Sequence, residues 1–417
     1  MKPHDGAHGS TRPIAGPSGR RLRGGVGGLL GALQAWRDAP RGRGVGLGCL
    51  ALWLLCGATG CRHPHAAFYP IGLYSVRETN DLAAVRAAGF NVVTGPASQA
   101  YLAAAQRHGL KVFAPPGTSA GPRFNAAAAR AAVRAFDRHP ALWAWYLVDE
   151  PDLHSIPPES VQLAHTVLKR AGARKPTALV LFQGGSALHY ARLTDVLMID
   201  RYPIPWLPLA SFGQHVRQAR LAAGRDQPLV AIIQAFDWDY FRELLAAPGA
   251  MRPPTYEELR CMTYLALVLR ADGLFYYAFD ASGWKLREHP QTWEALQAVV
   301  REVNERLPLF QAEHVWWPAH HVFATWAEQW NAALDSSIAL ARVRVRRGNA
   351  ALPPGDYVVA VNTTPDFHLY RFTSPAPRAP VIPVVGEDRS VEVLNGWIID
   401  GFGPYEARVY GPVPAGE

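Results

Sequence analysis

Two carboxylates, Asp149 and Glu150, close an apolar, aromatic run from Ala141 to Asp152 (ALWAWYLVDEPD), and a proline follows them at once. Such a run, bounded by a breaker, reads as a strand buried on both faces, because Pro151 has no N–H to give a central ladder. The acids then stand where the strand surfaces, at its C-terminal mouth. Paired carboxylates there are suited to glycoside hydrolysis: one holds a proton for the leaving oxygen while the other, charged, acts as nucleophile or activates water. A helix N-terminal cap with a surface acid beside it is the competing explanation of the same residues.

Acids of this kind need a scaffold that gathers several strand ends around one crevice. From Phe68 onward, short apolar runs alternate with segments of helical spacing. Strands are expected at Phe68 to Val76, Asn91 to Gly95, Lys111 to Ala114, Leu142 to Val148, Thr177 to Phe182, Val196 to Asp200, Leu229 to Gln234 and Gly273 to Phe279. Helices are expected at Asp81 to Ala88, Ala126 to Phe136, Ser160 to Lys169, Phe212 to Ala222, Tyr256 to Arg270 and Gln291 to Leu307. This alternation through roughly 240 residues predicts an α/β fold, a (β/α)8 TIM barrel. An open, doubly wound sheet fits less well, since no Gly-rich phosphate turn follows the first strand.

After Leu309 the pattern changes to short β-rich segments broken by Pro and Gly. They run from Val322 to Trp326, Ser337 to Val345, Asp356 to Asn362, His368 to Phe372, Ser390 to Val393 and Glu406 to Tyr410. A small all-β sandwich is expected there. The expected organisation is a leader over residues 1–61, the barrel over 62–308 and the sandwich over 309–417.

In a barrel the residues at the C-terminal strand ends share one crevice. In chain order these are Tyr74, Asp149 with Glu150, Gln183, Asp200 with Arg201 and Tyr202, Gln234 with Asp237, and Asp280 with Trp284. Five acids on one rim repel one another, which raises at least one pKa toward the value a general acid needs near neutrality. For Asp280 a turn role accounts for the residue as well as chemistry does. Trp206, Trp238, Tyr240, Tyr276 and Trp284 lie in or next to rim segments, and flat rings pack against the apolar faces of sugars while Asp, Gln and Arg bond their hydroxyls. Trp143 and Trp145, inside the fourth strand, are assigned to packing.

The formal charge of +8 is concentrated at the N-terminus: the first 60 residues carry eight Lys or Arg and two Asp or Glu. The rest is nearly balanced, so the body makes no case for nucleic-acid binding. Up to about Arg43 the chain is Gly-, Pro- and Arg-rich without periodicity and reads as disordered or as sequence upstream of the true translation start. An apolar stretch from Val45 to Gly60 follows basic residues and is shorter than the ~20 residues of a spanning helix, the layout of a secretory signal. It ends in Ala58-Thr59-Gly60-Cys61, which resembles a bacterial lipobox and implies lipidation of Cys61 and anchoring in the cell envelope by that lipid alone. Of the other cysteines, Cys49 and Cys56 fall in the apolar stretch and Cys261 is expected as a core residue. His63, His65, His320 and His321 come without carboxylates at ligand spacing, so neither a metal nor another cofactor is expected. The absence of Gly-x-Ser-x-Gly argues against a serine hydrolase of the elbow type.

With the fourth-strand acids and the terminal sandwich together, the chain resembles a clan A-type glycoside hydrolase from about Phe68 to its C-terminus. In that clan the fourth strand ends in Asn-Glu, and the matching pair here, Asp149-Glu150, implies that Glu150 is the proton donor. The closing segment Gly401 to Pro412 (GFGPYEARVYGP) also resembles the last strand of the sandwiches that follow such barrels. The clan's nucleophile, a Glu ending the seventh strand, is replaced here by Gln234, and an amide cannot form a glycosyl ester.

Three readings of that departure stay open. Asp237 or Asp200 serves from a shifted position, as nucleophile at ~5 Å from Glu150 or as inverting base at ~6.5–9.5 Å. Alternatively, Asp149-Glu150 resembles the Asp-Glu pair of β-hexosaminidases, which implies that a substrate acetamide attacks while Asp149 orients it. Third, hydrolysis is lost and a carbohydrate-binding barrel remains. The expected partner in each case is an oligo- or polysaccharide. Glu150, Asp149 and Asp200 are the expected catalytic residues, and Tyr74, Gln183, Tyr202, Trp206, Gln234, Asp237, Trp238, Asp280 and Trp284 the expected substrate contacts.

Overall fold

The computed structural model describes residues 68–244, 250–315 and 337–413. Eight parallel strands close into a barrel: β1 Ile71–Leu73, β2 Val92–Thr94, β3 Lys111–Ala114, β4 Leu142–Val148, β5 Thr177–Leu181, β6 Val196–Asp200, β7 Leu229–Gln234 and β8 Gly273–Tyr277, which returns to pair with β1. A helix follows each strand: α1 Leu82–Ala87, α2 Gln99–Arg107, α3 Ala126–Phe136, α4 Pro158–Arg170, the single turn α5 Ala187–Tyr190, α6 Ala210–Ala223, α7 Tyr256–Val268 and α8 Pro290–Glu305. The expected TIM barrel is present. Helix α2 is an addition to the sequence expectation; its run QAYLAAAQR gives small residues where an apolar stripe would mark a helix.

Strand alternation sorts the barrel's side chains. Val92, Phe113, Ala144, Ala178, Val180, Val196, Met198, Val230, Ile232 and Phe275 form the packed interior. The intervening residues, such as Leu179, Leu181, Leu197 and Ile199, join the larger core that includes the helices. With its interior filled, the barrel has space for a ligand only above this layer.

Two antiparallel four-stranded sheets follow the barrel. Between them and β8 lie a two-residue ladder, β9 Asp280–Ala281 with β10 Trp284–Lys285, and the short helix α9 Leu307–Phe310. The first sheet has the order β11-β12-β13-β18, from Glu313–Val315, Ile338–Val345, Gly355–Asn362 and Ala407–Val413. The second has the order β14-β17-β16-β15, from His368–Thr373, Trp397–Phe402, Ser390–Leu394 and Val381–Pro383. They pack face to face through Ile338, Val358, Ala360, Phe372, Ile382 and Ile398.

The first sheet has no solvent face at its centre. Tyr357, Val359 and Val361 join the barrel's core, whereas Val358 and Ala360 join the core between the sheets. Against it lies α7, which is buried along nearly all its length from Leu259 to Val268. A helix buried on every side needs neighbours on every side, and this one has the barrel on one side and the sheet on the other. Thr255 caps it: its hydroxyl accepts from Glu258 N at 3.3 Å, and the Glu258 carboxylate accepts from Thr255 N at 2.9 Å. Arg260 donates to the Ala407 carbonyl at 2.8 Å and to Glu302 on α8, tying the last strand to the barrel. Cys261 is fully buried there, its Sγ 3.4 Å from the Asn362 carbonyl, and burial pushes its thiol pKa up.

The leader, Cys61, His63, His65, His320, His321 and the expected strand from Val322 to Trp326 lie outside the described residues. No described helix is long and apolar enough to cross a membrane.

Candidate active site in the barrel mouth

A cavity of about 300 Å³ opens at the C-terminal end of the barrel strands. Its wall includes Tyr74 after β1, Asp149 and Glu150 after β4, Asp200 and Tyr202 at β6, Phe236, Trp238 and Phe241 after β7, and Tyr277 ending β8. Val180 and Ile232 from the interior layer contribute its floor.

The two adjacent acids reach this cavity through an irregularity in β4. The β4–β5 register shifts between Tyr146 and Val148, and Leu147 and Val148 both pack into the outer core. A bulge of this kind re-aims the residues that follow it, and here Asp149 and Glu150 turn inward together. Glu150 has φ +40°, a left-handed conformation uncommon outside glycine. Its N–H donates to the Val180 carbonyl at 3.0 Å, and its own carbonyl accepts from the N–H groups of Leu153 at 3.1 Å and His154 at 3.0 Å. Backbone held by its surroundings in a sparsely populated region is a feature that clusters at functional sites.

Asp152 ties this turn to the next strand. Its carboxylate accepts from the N–H groups of Phe182 at 3.1 Å and Gln183 at 2.8 Å, which fixes Phe182 as part of the cavity wall. Asp200 arrives by simple alternation, two residues beyond Met198 and four beyond Val196 on the same inward face.

The acids form one electrostatic cluster. Glu150 and Asp200 both line the cavity and act on each other: the Asp200 carboxyl works to lower Glu150, and the Glu150 carboxyl to raise Asp200. Burial first, and then the neighbouring Asp149 charge, pushes the Glu150 pKa up to about 7. Asp200 is 3% exposed; its burial and the Glu150 carboxyl raise it well above the usual carboxylate range, while the Tyr202 phenol works the other way. Asp149 keeps an exposed edge, yet desolvation by the surrounding chain raises it too, opposed by a hydrogen bond from the Tyr146 hydroxyl. His154, mostly in solvent, stands 4.0 Å from Glu150 Oε2.

Rings enclose the acids. Tyr202 stacks on Tyr277 at 5.5 Å between centroids, Phe236 meets both edge-on, and Trp238 packs against Phe236 at 4.9 Å. Trp206, 37% exposed, leans on Trp238 at 5.9 Å. One oxygen of Asp200, Nε1 of Trp238 and the Tyr74 hydroxyl are buried without a hydrogen-bond partner, the Tyr74 hydroxyl having the Tyr146 phenol nearby.

Of the expected site residues, the structure brings Tyr74, Asp149, Glu150, Asp200, Tyr202 and Trp238 to this cavity. Gln234 is fully buried outside it: Nε2 donates to the Ile204 and Phe236 carbonyls at 2.9 and 3.2 Å, and Oε1 accepts from Ile204 N at 2.9 Å. Its amide clamps the loop that carries Tyr202 and Trp206. Trp284 is likewise fully buried, with Nε1 donating to the Ala278 carbonyl at 3.0 Å and its ring stacked on His289 at 3.9 Å. Asp237 accepts from Asp239 N at 2.9 Å in a turn, Asp280 sits in the two-residue ladder, and Gln183 is exposed beside the wall residue Phe182.

Tyr276 faces away from the cavity: it is buried with its hydroxyl 3.0 Å from Thr263 on α7, and its neighbour Tyr277 takes the inward place. Strand parity carries that distinction, since Phe275 is interior and Tyr277 shares its face. The wall residues Leu153, Phe182, Phe236 and Phe241 have no comparable signal, because they stand on loops or beyond strand ends.

No protein-family model matches the chain. No curated protein matches it in sequence either. Solved structures match it in fold. A complex of AmyP with maltotriose is similar over 81% of this chain and 90% of its own, at 8% identity and a TM-score of 0.50. An α-amylase from Anoxybacillus is similar over the same shares at 10% identity and a TM-score of 0.50. At these identities the likeness is one of fold, a (β/α)8 barrel with β structure behind it.

Proposed function

We propose that the barrel binds and hydrolyses a glycan, with Glu150 as general acid. The observation that carries this reading is that Glu150 and Asp200 line one aromatic cavity, where burial pushes Glu150 up to about 7 and so supports a proton held there toward neutrality. A sugar entering between the rings meets that proton at its glycosidic oxygen. As the bond breaks, Glu150 gives the proton to the leaving oxygen and is itself left as the carboxylate, and Asp200, where it is the charged member of the pair, supports the positive charge growing on the ring.

The electrostatic pairing of Glu150 with Asp200 favours the short ~5 Å spacing of a retaining pair over the ~6.5–9.5 Å of an inverting one. Two routes remain for the anomeric carbon: attack by Asp200, or attack by an acetamido group on the substrate. Asp149, exposed at the mouth, is placed to orient such a group. Fold similarity to AmyP, solved with maltotriose, and to an α-amylase accords with a carbohydrate ligand.

The test is release from aryl glycosides, N-acetylhexosaminides included, by wild type and Glu150→Gln, with glycan binding measured in parallel. Turnover by wild type and its loss in the variant is the expected result. No turnover alongside retained binding would support the second reading, a non-catalytic carbohydrate-binding barrel. The amide of Gln234, locked onto backbone where a seventh-strand nucleophile would stand, favours that alternative.

The proposal includes export and lipid anchoring in the bacterial cell envelope through Cys61, on the strength of Ala58-Thr59-Gly60-Cys61 after an apolar stretch. Wild type should fractionate with membranes and Cys61→Ser should be released; an unchanged distribution removes the anchor.

A further inference from the structure

We infer that the cavity accepts one terminal sugar residue, so that the hydrolysis proposed above is exo-acting and removes single units from a chain end. The inference rests on that reading for its chemistry and on the shape and polar lining of the cavity for its specificity.

The space is small. At about 300 Å³ it lies at the lower end of the ~300–1,000 Å³ usual for ligand sites, room for about one pyranose ring. It is closed beneath by Val180 and Ile232 and by the interior layer under them. Beneath it the interior is filled by Phe113 stacked on Tyr146 at 4.4 Å, with Trp143 against Phe113 at 5.8 Å. Tyr277, Tyr202, Phe236 and Trp238 wall one side. Among the described residues the space is thus closed below and walled by rings above β6, β7 and β8, which favours entry of a chain end from the mouth.

The lining has hydrogen-bonding groups waiting for a partner. Asp200 Oδ1, Trp238 Nε1 and the Tyr74 hydroxyl are buried without a hydrogen-bond partner, the last of them among the Tyr146 phenol and the Asp149 and Asp200 carboxyls. Buried polar groups left unpaired are costly, and an acceptor, a donor and a hydroxyl around one small space match the hydroxyls of a single sugar. Trp206, tilted against Trp238 and 37% exposed, is the ring available to a second unit outside. In the step itself the C–O bond between the first and second units breaks, Glu150 protonates the departing oxygen, and water supplies the hydroxyl of the released sugar and returns a proton to Glu150.

The experiment uses methyl glycosides of neutral and N-acetylated hexoses and their α- and β-linked oligomers, dimer to hexamer. Binding is measured to Glu150→Gln and products are followed with wild type. One methyl glycoside should bind, affinity should rise at most to the dimer and then stay flat, and a monosaccharide should be the first product. Affinity that keeps rising tenfold or more from dimer to tetramer, internal cleavage products, or no methyl glycoside bound would overturn the inference. Internal products would leave the proposed hydrolysis standing. Absence of any turnover would sink the hydrolysis while the binding series still decides the one-sugar cavity. Tyr74→Phe keeps the ring and removes the hydroxyl, and Trp238→Phe removes Nε1 while keeping a smaller aromatic ring; each is checked for folding by thermal denaturation. Each should weaken monosaccharide binding roughly 3- to 10-fold, and unchanged affinity in both would remove the polar assignment.

Discussion

Gln234 holds Ile204 by both backbone groups, with Nε2 to the carbonyl and Oε1 to the N–H, each at 2.9 Å. The seventh strand therefore ends in a structural amide whose bonds are all spoken for, and the loop bearing Tyr202 and Trp206 depends on it. Introducing the carboxylate that a clan A-type nucleophile would require exchanges two N–H donations for a buried acid facing carbonyls. Gln234→Glu should lose ~2–4 kcal/mol of stability in urea unfolding and gain no turnover.

Stability should depend on pH through Glu150. Its ordinary pKa is 4.5 and its folded value about 7. Below pH 4.5 both folded and unfolded chains hold the proton, and the group contributes no penalty. Between 4.5 and about 7 the folded chain binds more protons than the unfolded one, so stability falls as pH rises, and the loss is complete above 7. The upper bound is about 3 kcal/mol for this side chain. Melting temperature should thus drop between pH 5 and 8 in wild type and drop less in Glu150→Gln.

Activity, if Glu150 is the acid, should fall as pH rises through about 7, where the proton is lost. The kcat/KM profile of wild type reads that limb directly. Glu150→Gln should lower kcat by ~10²–10⁴-fold with little change in melting temperature at pH 5. A profile flat from pH 6 to 9 would remove the acid role.

Asp137 should matter for folding alone. It is 4% exposed and accepts from Trp145 Nε1 at 2.9 Å, Arg174 N at 2.8 Å and Lys175 N at 3.2 Å. Asp137→Ala strands three donors beside β4 and should cost ~2–4 kcal/mol. A ligand that binds the barrel mouth should bind the folded variant with wild-type affinity.

Sequence revealed most where burial is two-sided. The expected bounds of β3, β4, β6 and β7 coincide with the observed strands, because a strand covered on both faces is a continuous apolar run that ends where cover ends. β13 lacks alternation for the same reason, being covered by the barrel and by the second sheet. β15 and β17 escaped notice: the first is three residues with a proline, and the second carries an exposed Ile399. In the mouth, strand ends pointed to Asp149, Glu150 and Asp200, whereas the closure of Gln234 depends on Ile204, thirty residues away in sequence. No local pattern encodes that partner.

The helix α7, buried along nearly all its length, also sets a limit on how the molecule can be divided. A fragment ending after the barrel would present the stripe that now faces β13 to water, and the isolated sheets would present theirs. Neither half is a self-sufficient module. The two should melt in one calorimetric transition, and the barrel mouth should lose its shape at the same temperature as the distant sheets. Heat resistance of the cavity is then a property of residues far from it, and selection for a sturdier site can act on the seam between Arg260 and Ala407 without touching an acid.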